Sequence, residues 1–376
     1  MDLKESISNQ TEVGLEITKQ LLQTEFKDKN MVYSSVSIHI VLSLIAAGKT
    51  SSDLDQFLSF LKSKSIDDLN SFAYNLVTSI LADASRGGGP CLNFANGLWL
   101  DESLPLDHSY EKVLSTSYKA ALNHVDFKSN PEGVRTQVNS WINKETNGLI
   151  PEILSPHSVT TLTSRIFANA LYFKATWDDE YFDASRTRKG EFHLLNGDLV
   201  KGVRFMTSGH RHSISAYDGF KVLSLPYKRS RDYKDMRGYK MHLLLPDARD
   251  GLPALAERVC SESGFLDRHL QWNEVKVRKL LIRKFKISSR FEASSVMEKL
   301  GLPADAMVMM HEALIEVDEN GTTAAAATVA QSYWALAPPP EVKEEDFVAD
   351  HPFMFLIKEG RGTVLFMGHV LNPLAG

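Results

Sequence analysis

The chain has 376 residues, 43% of them apolar and 24% charged in both signs, so it can bury a large core and is not intrinsically disordered. Its formal net charge of −5 argues against a protein whose main task is gripping phosphate backbones; the basic runs at 228–240 and 276–286 read as solvated loop or strand faces. Cys91 and Cys260 lie far apart without metal-ligand spacing, so neither a disulfide framework nor a zinc site is indicated, and two buried free thiols are expected.

The first residues show no basic stretch followed by an apolar one, and no run is long enough to cross a bilayer. The expectation is a cytoplasmic protein, with nuclear placement or later release as variants, and no membrane partner. Val13, Ile17 and Leu21 share one helical stripe, and Ile38, Val41, Leu42 and Ile45 repeat at helical spacing before Gly48 stops the run. Val138, Trp141 and Ile142 mark a further amphipathic helix that ends at Asn147-Gly148.

Beyond this point the pattern changes. Runs at 167–177, 221–227, 239–247 and 277–287 are short, apolar or alternating, and rich in the residues that sheets favour. At the C-terminus "PFMFLIK" and "TVLFMGHVLNP" form a hairpin across Glu359-Gly360-Arg361-Gly362. Helices first and strands later predict an α+β fold with mostly antiparallel sheets. With no linker before residue 319 and no internal repeat, one domain over 1–376 is expected.

Enzyme signatures are missing. Gly48-Lys49-Thr50 resembles the end of a phosphate loop, but Ser43 stands where that pattern needs glycine, and the run closes a helix where it should open one. Nucleophile-elbow, zinc-helix and dinucleotide patterns do not occur. The neighbouring His210 and His212 read as solvated loop residues, so no metal and no cofactor is expected.

The segment from Glu319 to Asp346, "ENGTTAAAATVAQSYWALAPPPEVKEED", reads differently from a core element. Its four alanines suit a short exposed helix. On strand alternation, however, Thr322, Ala324, Ala326, Thr328, Ala330 and Ser332 share one side, and all six are small and uncharged. Such a face can enter an existing sheet, whereas a charge or large ring there would be expensive to bury. Gly321 supplies a hinge, the three prolines hold an extended tail, and Tyr333 to Leu336 form an accessible bait for proteolysis.

Together "YSSVSIHIVLSLIAAG", "FANGLWLDESL", "FANALYFKATW", "FMTS", "HEALIEVDENGTTAAAA", "HPFMF" and "LFMGHVLNP" resemble the serpin family, and "FVADHPF" with "SAYDGFKVLSLPY" is most similar to its plant members. The resemblance covers nearly the whole chain. It implies a metastable fold of helices and three mostly antiparallel sheets, with an exposed reactive-centre loop at about 319–343 above a five-stranded central sheet. In inhibitory relatives a protease attacks this loop, is held as an acyl-enzyme and is dragged as the cut loop inserts. Catalysis then belongs to the target.

The resemblance also implies roles. Ser34, Ser37, Asn169 and His311 would form a hydrogen-bonded shutter beneath the opening sheet. Trp177 and Glu319 would lie near its top, where insertion begins, with Lys284 as ion-pair partner of Glu319. Glu319, Gly321, Thr322, Ala324 and Ala326 would form the loop hinge. Counting by the family's spacing from Gly321 gives Ala335-Leu336 as the reactive bond, and counting back from "DFVADHPF" allows a shift of one, so Trp334 competes with Leu336 for recognition. Ala335 favours an elastase-like target and Leu336 or Trp334 a chymotrypsin-like one; no Arg or Lys occurs between Gly321 and Glu341, which disfavours a trypsin-like enzyme.

Four departures from the family pattern are Ser35, Ala175, Arg283 and His369. A larger one is "GLPADAMVMMH", residues 301–311, which replaces a longer segment and is expected to lack the first half of the strand before the hinge, leaving unpaired backbone in the sheet. The leading expectation is a monomeric suicide inhibitor of a serine or papain-like cysteine protease, with no nucleic acid partner. The alternative is a non-inhibitory serpin acting as a binding protein.

Overall fold

Helix α1 (Leu3–Gln23) buries Val13, Ile17 and Leu21, the stripe that its spacing predicts. Helix α2 (Ser35–Ala47) is buried on every side through Ala46, which is why its sequence is apolar almost throughout; Ser34 caps it and Gly48 follows it. The structure is a computed structural model that describes residues 2–178, 181–232, 235, 237–303, 307–322 and 344–375. Further helices are α3 (Ser51–Phe60), α4 (Ile66–Asn75), α5 (His108–Ser117), α6 (Pro131–Glu145), α7 (Leu252–Ser261), α8 (Phe265–His269) and α9 (Ala293–Lys299). In α6, Asn130 accepts from the Gly133 amide at 3.0 Å and Pro131 opens the first turn, where its missing N–H is harmless.

The described strands form two sheets. The central one has the order β11 (Phe285–Glu292), β12 (Met307–Asp318), β13 (Gly321–Thr322), β4 (Arg165–Thr176), β2 (Cys91–Asp101) and β3 (Ala121–Val125). The other runs β1 (Met31–Tyr33), β16 (Val364–Val370), β15 (Phe353–Glu359), β9 (Tyr239–Pro246), β8 (Phe220–Pro226), β7 (His212–Tyr217), β10 (Glu274–Arg283), β6 (Leu199–Met206) and β5 (Arg188–His193), with β14 (Glu344–Val348) parallel beside β10. Its two parts are joined through β10, which pairs with β7 at Glu274 and Val275 and with β6 at Ile282 and Arg283. Two of the three expected sheets therefore share a strand. Helix α2 lies against both β4 and β16 and fills the space between the sheets.

Three local expectations need correction. The run at 277–287 is not one strand: it divides at Lys284 into β10 and β11, which belong to different sheets. His212 is not a solvated loop residue; it opens β7, is buried, and bonds the Ser208 hydroxyl at 2.8 Å. Cys91 and Cys260 are free, as expected, but only partly buried.

Candidate functional site

Strands β4 and β12 lie side by side in parallel from Met307 opposite Arg165 to Glu312 opposite Ala170. Above that ladder they part. Leu171–Lys174 and Ala313–Glu316 pair only with their outer neighbours β2 and β11, and at the top β13 stands between the two strands. Thr322 lies opposite Val317 on one side and Ala175 on the other; Gly321 lies opposite Asp318 and Thr176. The first two residues of the small-residue segment thus already form a strand antiparallel to both neighbours, at the head of a tapering slot.

Every contact at the head of the slot holds this entry. Gly321 has φ +136°, and a Cβ there would lie 2.1 Å from the Ala175 carbonyl oxygen, so only glycine fits. Thr322 is buried and its hydroxyl bonds that of Tyr227 at 2.7 Å. Tyr227 stacks on Trp177 with ring centroids 4.8 Å apart. Trp177 donates its ring N–H to the Asp318 carbonyl at 2.9 Å and its amide to the Asn320 carbonyl at 3.1 Å, so it clamps the turn from β12 to β13. Glu319 accepts from Lys284 Nζ at 2.6 Å and from the Thr187 hydroxyl. Burial pushes the Glu319 carboxyl up, but the bonds from Lys284 and Thr187 outweigh it and hold the group below its usual range.

At the foot of the slot the Ser34 amide donates to His311 Nε2 at 3.0 Å, the Ser34 hydroxyl donates to the Leu365 carbonyl at 2.9 Å, and the Ser37 amide donates to the Ser34 hydroxyl at 3.2 Å. Burial lowers His311 to about 3, so its ring is neutral and Nε2 accepts. Asn169 sits directly opposite His311 in the β4/β12 register but does not join the network: both its amide atoms, like the Ser37 hydroxyl oxygen, are buried without a hydrogen-bond partner among the described residues. The expectation of one four-membered hydrogen-bonded group is corrected accordingly, because His311 Nε2 is already taken by the Ser34 amide.

The expected loss of the first half of the strand does not occur. Strand β12 begins at Met307, and Met307–Met310 pair with Arg165–Ala168. Ala324, Ala326, Trp334, Ala335 and Leu336 lie outside the described residues. Among the described residues no group of three or more His, Cys, Asp or Glu side chains is placed to hold a metal ion.

The fold is shared with known proteins. A family model for serpins (serine protease inhibitors) matches residues 8–373, and Serpin-ZX of Arabidopsis thaliana is 46% identical over 398 residues, covering 100% of both chains. The chain belongs to the serpin family. Serpins are protease inhibitors, not catalytic enzymes, and this serpin groups with the plant members. The solved structure of Arabidopsis AtSerpin1 in its native stressed conformation is 44% identical, with a TM-score of 0.89 over 100% of this chain and 99% of that one. A protein named "Probable non-inhibitory serpin-Z5" from Arabidopsis thaliana is 42% identical over 381 residues, covering 100% of this serpin and 86% of the relative.

Sequence reasoning missed Thr187 and Tyr227 as partners of the hinge. Tyr227 ends a predicted strand, but nothing local ties it to Thr322, 95 positions on. Thr187 lies in a polar stretch whose only signal is its position just before β5.

Proposed function

We propose that this serpin is an irreversible inhibitor of a serine or papain-like cysteine protease, attacked at Ala335-Leu336. The protease nucleophile adds to the Ala335 carbonyl, the bond to the Leu336 nitrogen breaks, the amine leaves with a proton, and Ala335 remains as an acyl group on the enzyme. The cut segment then lengthens β13 down the slot while β4 and β12 separate.

The observation that carries this reading is the register of β13. Continued residue by residue in the inserted state, it would set Ala324 opposite Ile315, Ala326 opposite Ala313, and Thr328 between His311 and Asn169. Ser332 comes opposite Met307 on one side and Arg165 on the other, the first residues of both flanking strands. The six small residues on the inner face would meet Val317, Ile315, Ala313, His311, Met309 and Met307, all of them buried, so each inner position would demand a small uncharged side chain. In this reading the parallel ladder opens from Glu312 and Ala170 down past His311 and Asn169, and Trp177, Glu319 and Lys284 release the first turn.

Incubation with elastase-like, chymotrypsin-like and papain-like proteases followed by denaturing electrophoresis tests it. A covalent complex is expected with at least one of them, together with a marked rise in the melting temperature of the cleaved chain. The second reading, a non-inhibitory binding protein, is favoured by the name of the relative 42% identical to this chain. It predicts clean cleavage, no complex and no gain in stability.

A further inference from the structure

A cavity of about 980 Å³ opens over one face of β9 and β15 and is lined by Lys240, His242, Lys358, Arg229 and Leu270. Lys240 lies directly opposite Lys358 in the β9/β15 ladder. His242, two residues further on and so on the same face, lies opposite Leu356 on one side and Ser224 of β8 on the other. Arg229 reaches in from the loop after β8, where a Cβ on Gly238 would lie 3.1 Å from its Nε. Trp272, 47% exposed, backs Lys240, whose ammonium stands 4.2 Å from the ring centroid.

The polar lining is incomplete within the chain. His242 is 4% exposed and its Nδ1 lies 2.7 Å from the Ser224 hydroxyl, but its Nε2 has no partner among the described residues. A buried polar atom left unpaired costs stability, so such atoms normally meet a partner. Like charges placed directly across a strand pair also destabilise it, as Lys240 and Lys358 do here. Lys358 reaches Asp267 at 3.4 Å, whereas Arg229 and Lys240 have no acidic partner among the described residues. Burial, and then the neighbouring Arg229, hold the Lys240 ammonium below its usual range. The carboxylates that line the same cavity are already engaged: Asp235 with Arg237 at 2.7 Å, Glu359 with Arg361 at 3.1 Å, Asp83 with the Ser85 hydroxyl and the Leu92 amide, and Asp232 likewise.

We propose that this cavity binds a small organic phosphate monoester, its phosphate held by Arg229, Lys240 and Lys358 and its organic group resting against Leu270 and Trp272. With the Ser224 hydroxyl donating to Nδ1, the ring proton of His242 sits on Nε2 and is donated to a phosphate oxygen. Burial, followed by the charges of Lys358 and Lys240, lowers His242 to about 3, so the ring stays neutral and takes part as a donor, not as a fourth cation. Three cations and one neutral donor suit the three terminal oxygens of a dianion better than the two of a carboxylate. The site lies apart from the slot, and binding there does not depend on the inhibitory reading.

Titration of the full chain with phenyl phosphate, followed by calorimetry and by the ring nitrogen resonances of His242, tests the site, with inorganic phosphate and benzoate as comparison ligands. The expected result is saturable binding of phenyl phosphate that moves the His242 Nε2 resonance, and weaker binding of the other two. Affinity for phenyl phosphate falls roughly tenfold or more in an Arg229→Gln/Lys240→Gln double variant. An unchanged melting temperature shows that this variant is folded; if it is not, Arg229→Gln alone, at an exposed position, carries the test with a loss of roughly fivefold. A Lys64→Gln control, far from the cavity in sequence and exposed, keeps full affinity. No binding of phenyl phosphate, binding that leaves the His242 resonance in place, or equal affinity in the variants overturns the proposal. Inorganic phosphate bound as tightly as phenyl phosphate overturns it in favour of a simple anion site, and benzoate bound more tightly overturns it in favour of a carboxylate ligand. The gel assay above reports separately on inhibition.

Discussion

Thr322 shows how much one side chain decides. It is 1% exposed and shares its hydroxyl bond with Tyr227 on a buried face of the sheet, where a longer side chain would have to displace the Tyr227 ring. Replacing it with arginine buries an unpaired charge at the mouth of the slot. A Thr322→Arg variant is expected to be cleaved by the target at an unchanged rate but to form at least tenfold less covalent complex; an undiminished complex yield would refute the role given to this residue. Glu319 offers a second test. It is 8% exposed, and a Lys284→Met variant leaves its carboxylate with Thr187 as its remaining side-chain donor. Loss of a donor to a charged, mostly buried group is expected to lower unfolding stability by about 2 kcal/mol, measured by chemical denaturation. The sequence carried the Glu319–Lys284 pair through the family resemblance, yet it could not show the Thr187 hydroxyl, which reaches Glu319 from 132 positions away.

Among the elements, alternation was the most informative signal. Strand β12 alternates buried and partly exposed positions along its whole length, and the small-residue face was visible because strands expose every second side chain. Two features were hidden. The split of 277–287 into β10 and β11 depends on which sheet each half joins, and the apolar pattern runs through Lys284 without a break. The entry of Gly321 and Thr322 between β4 and β12 depends on the separation of two strands more than 100 positions apart in the chain, which no local pattern reports. A synthetic peptide with the sequence of residues 323–332 matches the register below Thr322 and is expected to fill it as β4 and β12 separate. Bonded on both sides, the peptide gains more ladder bonds than the β4/β12 pairing it displaces, which is expected to raise the melting temperature on the order of 10 °C and abolish complex formation. A peptide with Arg at the positions of Ala324 and Ala326 serves as the control, and equal action of both peptides would contradict the inner-face argument.

Over the whole molecule, buried imidazoles set the response to acid. Burial lowers His39, His212 and His369 to about 4, and His242 and His311 to about 3. The folded chain therefore binds fewer protons at these sites than the unfolded chain does, so stability falls as pH drops below about 6.5 and goes on falling until the folded values are reached. Each histidine contributes up to about 1.4 kcal/mol per pH unit in that window. Melting temperature is expected to drop steeply between about pH 6 and pH 4, and a flat profile there would show that these rings are charged in the native state.

The shared lower end of β4 and β12 has a mechanical consequence. Residues from Ser332 to the acyl bond at Ala335 would project past the last rung as a leash of three residues, about 10 Å when taut. A protease of some 200 residues has a radius of gyration of about 16 Å, so it cannot hang clear on so short a cord. Its catalytic centre would be hauled against the far pole of the inhibitor, and the enzyme would give way around its own active serine or cysteine before the leash could lengthen.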